Sequence, residues 1–397
     1  MSGTLNSIYS NTSFALNLQF DALSRLQEQV ATGSRVNRVS DDPSSAYQIL
    51  GLNSQARDIT NYINNLANVS DMLNSSLTAI GNISSSLATA KQRITQIASG
   101  IYDETARKRT AEEINEILEQ IVASANTKNL NAYLFGGSNT GAAPYVAERT
   151  NGEITKVTYQ GSSEERNVEV APGINAAAFM VGDNIFRSDD QGQPEFTGDT
   201  GVKAGAGTSS VKGFTWLKVI NEGGNYKLSI DDGESYVTIP VPDGDPANQA
   251  VTDLRTGQVL YVDTRGITGT GVELVEMPGT HDIFNTLITI RDILANKKGL
   301  PDAQLQTLRE NSTQALDEMS NLLLQSSVSV GSKVGFLESL KNNLADLKGN
   351  TDDNTTRIQE ADIAQIAIDI ARRQTLYQMS LSVAGKLMSV SLLDFIE

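Results

Sequence analysis

Residues 52–101 read LNSQARDITNYINNLANVSDMLNSSLTAIGNISSSLATAKQRITQIASGI. Counting in sevens from Leu52 lands on Ile59, Leu66, Leu73, Ile80, Leu87, Ile94 and Ile101 without a miss, with Gly, Ser, Asn and Thr filling much of the rest. A seven-residue repeat is slightly shorter than two α-helical turns, so the apolar seam stays on a partner only if the helices supercoil left-handed. The spacing predicts a long coiled-coil helix, entered at Asp41-Asp42-Pro43, where a carboxylate can cap and proline can take the first helical position. Such a rod, on the order of 85–90 Å at 1.5 Å per residue, cannot bury its own seam. The remaining sequence must cover it.

Outward toward the N-terminus, Leu5, Tyr9, Thr12, Leu16, Gln19, Leu23, Leu26 and Val30 continue the alternating four-three spacing, and Ile8, Phe14, Leu18 and Phe20 add apolar surface beyond it. A helix apolar on more than one side needs burial on more than one side. Residues 33–39, with Gly, Asn and Arg, read as a link. Toward the C-terminus, a second helix is predicted from about Asp103 or from the capping-box spacing Thr110-Ala-Glu-Glu113, with Ile114, Ile117, Ile121 and Ala125 as its stripe.

From residue 136 to 280 the period changes to two. Strands are expected at 153–159 and 166–170, around the turn Gln160-Gly-Ser-Ser, and at 214–220, 226–230, 236–241, 259–262 and 272–275; residues 197–210 read as a loop. Helix resumes near Asp282 with Ile283, Leu287, Ile290 and Leu294. It resumes again near Pro301 with Leu305, Leu308, Ala315, Met319, Leu322, Phe336, Leu340 and Leu347. Residues 348–356 read as a polar link. A last helix carries Ile363, Ile366, Ile370, Tyr377, Leu381, Ala384, Met388, Leu392 and Phe395, with Ile368, Leu376, Val383, Leu387 and Val390 on its other faces. The fold class is therefore α+β: a discontinuous long-helix coiled-coil rod built from both chain ends, with a β-rich insertion. Residues 1–43 and 351–397 are assigned to the terminal helices, 44–135 and 281–350 to the rod, and 136–280 to the insertion.

Composition narrows the function. The net charge of −16 divides as −2, −10 and −4 over residues 1–135, 136–280 and 281–397, so the acidity sits in the middle and disfavours nucleic acid as a partner. With no cysteine and one histidine, His281, disulfides, thiol nucleophiles and Cys/His zinc sites are excluded. No HExxH, GxSxG or P-loop occurs, and no catalytic, cofactor-binding or metal-binding residue is assigned. The acidic turns at Asp189-Asp190, Asp231-Asp232 and Asp243-Gly-Asp245 lack a twelve-residue calcium loop and read as plain turns. No stretch reaches the length of a membrane span, and no cleaved secretory signal is expected.

Three further stretches carry a resemblance: LQEQVATGSRVNRVSDD at 26–42, NTKNLNAYLFGG at 126–137 and SLLDFI at 391–396. On these the chain resembles the flagellin superfamily. SDDPSSA, the pair YLFGG and VTYQG, and DIFNTLITIR at 282–291 make it more similar to the hook–filament junction branch than to filament flagellin. The resemblance implies a structural, non-enzymatic protein, exported through the flagellar type III apparatus and located outside the cell. Its implied partners are other copies in a ring, hook-associated protein 1, flagellin and an export chaperone. It implies a self-assembly interface at Leu16, Leu23, Leu26, Val30, Ile370, Tyr377, Leu381, Met388, Leu392 and Phe395, and rod packing through Ile59, Leu66, Leu73, Ile80, Leu87, Leu322 and Phe336. The alternatives are a major filament subunit and, more distantly, an adhesin or ion-binding module displayed by the insertion.

Overall fold

The computed structural model describes residues 2–98, 103–240 and 244–396, the side chains of 2–9, 98 and 387–396 excepted. Two units form: residues 1–64 with 340–397, and residues 65–339. The expected α+β class is borne out, with long helices at both chain ends and strands between them. Among the described residues no helix is long and apolar enough to cross a membrane.

The stretch 52–98 lies within one helix, α2 (Pro43–Ala98), after α1 (Ser2–Thr32). Asp42 caps α2 as its sequence suggests, accepting from the Ser45 N–H at 3.1 Å. In the 65–339 unit, Leu66, Leu73, Ile80, Leu87 and Ile94 are all buried, and so is a second line that the count in sevens leaves out: Val69, Ser76, Ile83, Ala90 and Ile97. Together they alternate three and four, the two-position seam of a supercoiled helix. Ile59 is buried in the other unit. Ile101 lies outside the described residues.

Helix α3 (Glu104–Ala125) starts at the earlier of the two expected positions, because Asp103 accepts from the Ala106 N–H at 2.9 Å. Its buried stripe runs through Ile114, Leu118, Ile121 and Ala125, with Leu118 where Ile117 was expected. Between α2 and α3, Ser86 donates to Gln120 and Arg93 pairs with Glu113.

The long helix after Pro301 differs from its expected reading. Counted after α4 (Asp183–Phe186) and α5 (Ile283–Leu294), it is α6 (Asp302–Gln359) and runs through the supposed link at 348–356. Thr351, Thr355 and Thr356 return their hydroxyls to carbonyls four residues back, and Lys348 pairs with Asp352 at 2.6 Å, so the polar residues satisfy themselves within the helix. Its buried seam is Leu316, Leu323, Val330, Leu337 and Leu344, again in sevens. Phe336 is 57% exposed and Leu322 half-buried. Leu305, Leu308, Ala315 and Met319 of the expected stripe are buried, whereas farther along the seam passes through Leu323 and Leu337, one position beyond Leu322 and Phe336.

The insertion holds a five-stranded sheet of order β11-β10-β9-β14-β7: β7 (Glu195–Thr197), β9 (Gly213–Glu222), β10 (Asn225–Ser229), β11 (Val237–Ile239) and β14 (Gly271–Met277). A three-stranded sheet joins β8 (Lys203–Ala204), β12 (Gln249–Thr252) and β13 (Val259–Asp263). Leu217, Val219, Leu228, Val251, Leu260, Val262 and Val275 form their common core. Alternation along β14 sends Leu274 the other way, onto Ile293, Leu305 and Leu308 of the helices. The strands at 153–159 and 166–171 do not pair with each other, as the intervening turn suggested. They are β4 and β5, and each forms a hairpin with a strand that the sequence reading passed over: β3 (Tyr145–Thr150) and β6 (Ile174–Phe179). A further short hairpin joins β1 (Lys128–Asn129) to β2 (Ala132–Tyr133).

Three of the sequence motifs converge on one aromatic node. Phe135 of YLFGG meets Phe186 at 5.0 Å, Tyr145 meets Tyr159 of VTYQG at 5.2 Å, and Tyr145 meets Phe284 of DIFNT at 4.6 Å. The glycines beside them are required by space. A Cβ on Gly136 would lie 2.2 Å from the Asn139 carbonyl oxygen, and one on Gly161 would lie 2.3 Å from the Tyr159 hydroxyl. Nearby, the buried Arg291 holds α5 to α3 and β4 by donating to Asn115 Oδ1 at 2.8 Å and to the Ile154 carbonyl at 2.5 Å, and it pairs with Asp292. Asp282 caps α5 by accepting from Phe284 and Asn285; burial nonetheless pushes its carboxyl up to about 6. Asp282 itself is half-buried, whereas Asp231 is buried, yet bonds from Ser235 and Ser229 hold the Asp231 carboxyl well below the usual range, which makes this acidic turn a self-contained one.

Candidate self-assembly surface

Helix α1 lies along the last helix, α7 (Ile363–Ile396). The two are antiparallel: Arg373 donates to Gln19 Oε1 at 3.4 Å, and the Ala361 N–H donates to the Gly33 carbonyl at 3.0 Å. That direction sets Leu16 level with Tyr377 and Leu23 level with Ile370. All four are half-buried, as is Leu26, while Ile366 is buried. The structure thus uses these expected interface residues inside one chain. Val30 and Leu381 are exposed, and the side chains of Met388, Leu392 and Phe395 lie outside the described residues.

What remains open is the other side of each helix. Phe14 (66% exposed), Leu18 and Phe20 on α1, and Ile368 (62% exposed), Leu376, Met379 and Val383 on α7, all face solvent. Most of these stood in the sequence as apolar surplus outside the seam. Exposed apolar side chains in such number make these faces a candidate interaction surface. Residues 2–20 and 374–385 contain no charged side chain, so covering them desolvates no ion.

The link between α1 and α2 is a tightly bonded knuckle. Gly33 adopts φ +69°, and Ser34 bridges to Glu360 with the Arg35 N–H on the Gln359 carbonyl at 2.7 Å. Arg35 reaches Asp42 and Ser45 at 3.0 Å and the Ile358 carbonyl at 3.2 Å. Arg38 pairs with Glu28, and Asp41 accepts from the N–H groups of Asn37 and Arg38. The Ser45 hydroxyl and N–H, followed by Arg35, lower the Asp42 carboxyl to about 2. The stretch GSRVNRVSDD is therefore a clip that ties the chain's two ends together.

Comparison with known proteins fits this arrangement. The family model for the bacterial flagellin N-terminal helical region matches residues 4–140. Flagellar hook-associated protein 3 of Escherichia coli is 26% identical over 162 residues, 41% of this chain and 49% of that protein. The chain thus spans about half the length of the curated relatives it matches. Flagellar hook associated protein-3 from Legionella pneumophila shares the fold at a TM-score of 0.52 and 19% identity, over 78% of this chain and 99% of that one. FlgL from Xanthomonas campestris does so at 0.51 and 21%, over 76% and 98%. The resemblance to the flagellin superfamily, and within it to hook-associated protein 3, is borne out.

Proposed function

We propose that this chain is a structural subunit of the bacterial flagellum, exported and assembled as a ring at the hook–filament junction, where flagellin adds to it. In this reading hook-associated protein 1 lies on the hook side, flagellin on the filament side, and a chaperone masks the terminal helices before export. Residues 1–43 and 351–397 make the inner core, 44–135 and 281–350 the rod, and 136–280 the outward insertion. The observation that carries the reading is the exposed apolar side of α1 and α7, which stays open after the two helices have packed on each other. Neighbouring copies would cover it, with a gain of roughly 25 cal/mol per Å² of apolar surface.

The test is electron microscopy of cells lacking the protein, with the medium assayed for released flagellin. Bare hooks and abundant flagellin monomer in the medium are expected. Loss of the filament protein from both cell and medium would make this chain the filament subunit. Intact motile filaments would overturn both readings.

A further inference from the structure

Two helical stretches of the 65–339 unit lack charge to an unusual degree. Residues 72–90 of α2 carry none, and residues 319–337 of α6 carry only Lys333, which faces Glu165 at 4.0 Å. The stretches lie level with each other. Lys91 pairs with Asp317 at one end. At the other, Asn65 donates to the Glu169 carbonyl in β5 (Arg166–Ala171) and Lys333 approaches Glu165 just before it, so α2 and α6 run antiparallel. Lys333 apart, α2 and α6 therefore share a stretch without charge on the order of 28 Å long at 1.5 Å per residue.

The two faces of that band differ in relief. Turned away from its seam, α6 presents Leu324 (63% exposed), Val328 (64% exposed) and Phe336. Beside them are Gly331 and Gly335, at which an added Cβ would meet nothing within 4 Å. The outward face of α2 presents Asn74, Thr78, Gly81, Ser85 and Thr89, all small or uncharged. Between α2 and α3 lies an open furrow of about 420 Å³, lined by Asn82, Ser85, Thr89, Ile117, Gln120 and Ser124. Bulky apolar knobs and a shallow uncharged furrow thus occur on one chain at one height.

We infer that a second copy of this chain seats the Leu324–Val328 face of its α6 in the α2–α3 furrow. The contact is heterologous, using a different patch on each partner, and its matched heights call for rotation without axial shift, the condition under which such contacts close into a ring. The furrow lining and the Leu324–Val328 face carry no charged side chain, which lowers the cost of burying them, while Arg93, Glu113 and Glu116 flank the furrow beyond Thr89. The inference rests on the self-assembling subunit proposed above and assigns its lateral contact.

The absence of native cysteine allows a direct test in the full chain. Ser85→Cys and Leu324→Cys chains, one carrying a size tag, are mixed under assembly conditions and oxidised, with sedimentation measured in parallel. A disulfide forms only when Cα atoms come within about 7 Å. A mixed covalent dimer, absent from either variant alone and lost with reductant, is expected. Val328→Cys in place of Leu324→Cys covers a register one turn away. Sedimenting polymer without the mixed dimer for either pairing overturns this contact and leaves self-assembly standing, another protein then being the occupant of the α6 face. The mixed dimer without polymer supports the contact against the ring, and neither product overturns both.

Discussion

The 65–339 unit and the unit made from 1–64 and 340–397 are built with the same kind of helix and differ in what becomes of its apolar residues. In the first, the α2 seam is closed on both of its lines and β14 buries side chains on both faces. In the second, α1 and α7 half-bury one line each and leave Phe14, Leu18, Ile368 and Met379 in solvent. One unit completes its core within the chain and leaves Leu324, Val328 and Phe336 of α6 outside it. The other carries more apolar surface than a chain of its own can cover, and under the proposed function that surplus is the assembly surface.

The comparison is sharpened most by Arg291→Ala. Its removal takes the guanidinium from Asn115 Oδ1, the Ile154 carbonyl and Asp292, of which Asn115 keeps the Ile154 N–H and Asp292 keeps Lys297, and breaking a buried pair costs about 3–5 kcal/mol. In calorimetry of the full chain the 65–339 unit should melt earlier. An unchanged melting temperature would mean that the node does not hold the insertion to the helices.

A matched pair of truncations comes next. Leu66→Ala empties a fully buried site and should cost about 2–5 kcal/mol. Leu23→Ala, half-buried, should cost about 1 kcal/mol in the monomer. On the exposed side, Leu376→Lys should leave monomer stability within about 0.5 kcal/mol while abolishing polymer in sedimentation. Equal losses for Leu66 and Leu23 would erase the distinction between the two units. Normal polymer from Leu376→Lys would remove the exposed face of α7 from the assembly surface.

The same contrast explains what the sequence made legible. The heptads, the break in period at 136, the Asp42 and Asp282 caps and the need for the ends to lie together all come from local patterns that tertiary structure reinforces. The second line of the α2 seam, Val69, Ser76, Ile83, Ala90 and Ile97, was less legible because Ser76 and Ala90 interrupt its hydrophobic signal, although small residues let helices approach closely. Phe336 was misplaced for the converse reason: size drew it into the core, whereas its position in the repeat sets it outside. Strands β3 and β6 carry little sequence signal because Glu, Arg, Asn and Ala give weak alternation, and each lies on the far side of its hairpin partner from the turn Gln160-Gly-Ser-Ser. For the candidate interface, one chain's periodicity distinguishes apolar lines but not which line its own partner helix takes.

Asp282 should have the next largest effect. Burial raises its carboxyl to about 6 from 3.8, so between those values the folded state binds a proton that the unfolded state has released. This contribution to stability is full below about 3.8 and is lost as pH rises through 6, leaving a penalty of about 2–3 kcal/mol at pH 7. Asp282→Asn keeps a capping side chain and removes the charge. It should stabilise the 65–339 unit at pH 7 and have little effect near pH 4, and thermal scans at the two values would show this. A destabilised variant at both would mean that the carboxylate is a better cap than its burial allows.

Asp42 titrates in the opposite sense and within the other unit. Bonds from Ser45 and Arg35 depress its carboxyl to about 2, so its contribution is fully present above about 3.8 and is lost as pH falls through 2. Because the clip is solvated, the effect should be local: lower amide protection, relative to the intrinsic exchange rate, at residues 33–46 on acidification, with global melting almost unmoved. Asp42→Asn should weaken the pH dependence of that protection, Asp41 and Glu28 still titrating within the clip. If acid loosened the insertion before the clip, the terminal unit would be the more robust of the two, and the incompleteness assigned to it here would have to lie in its exposed faces alone.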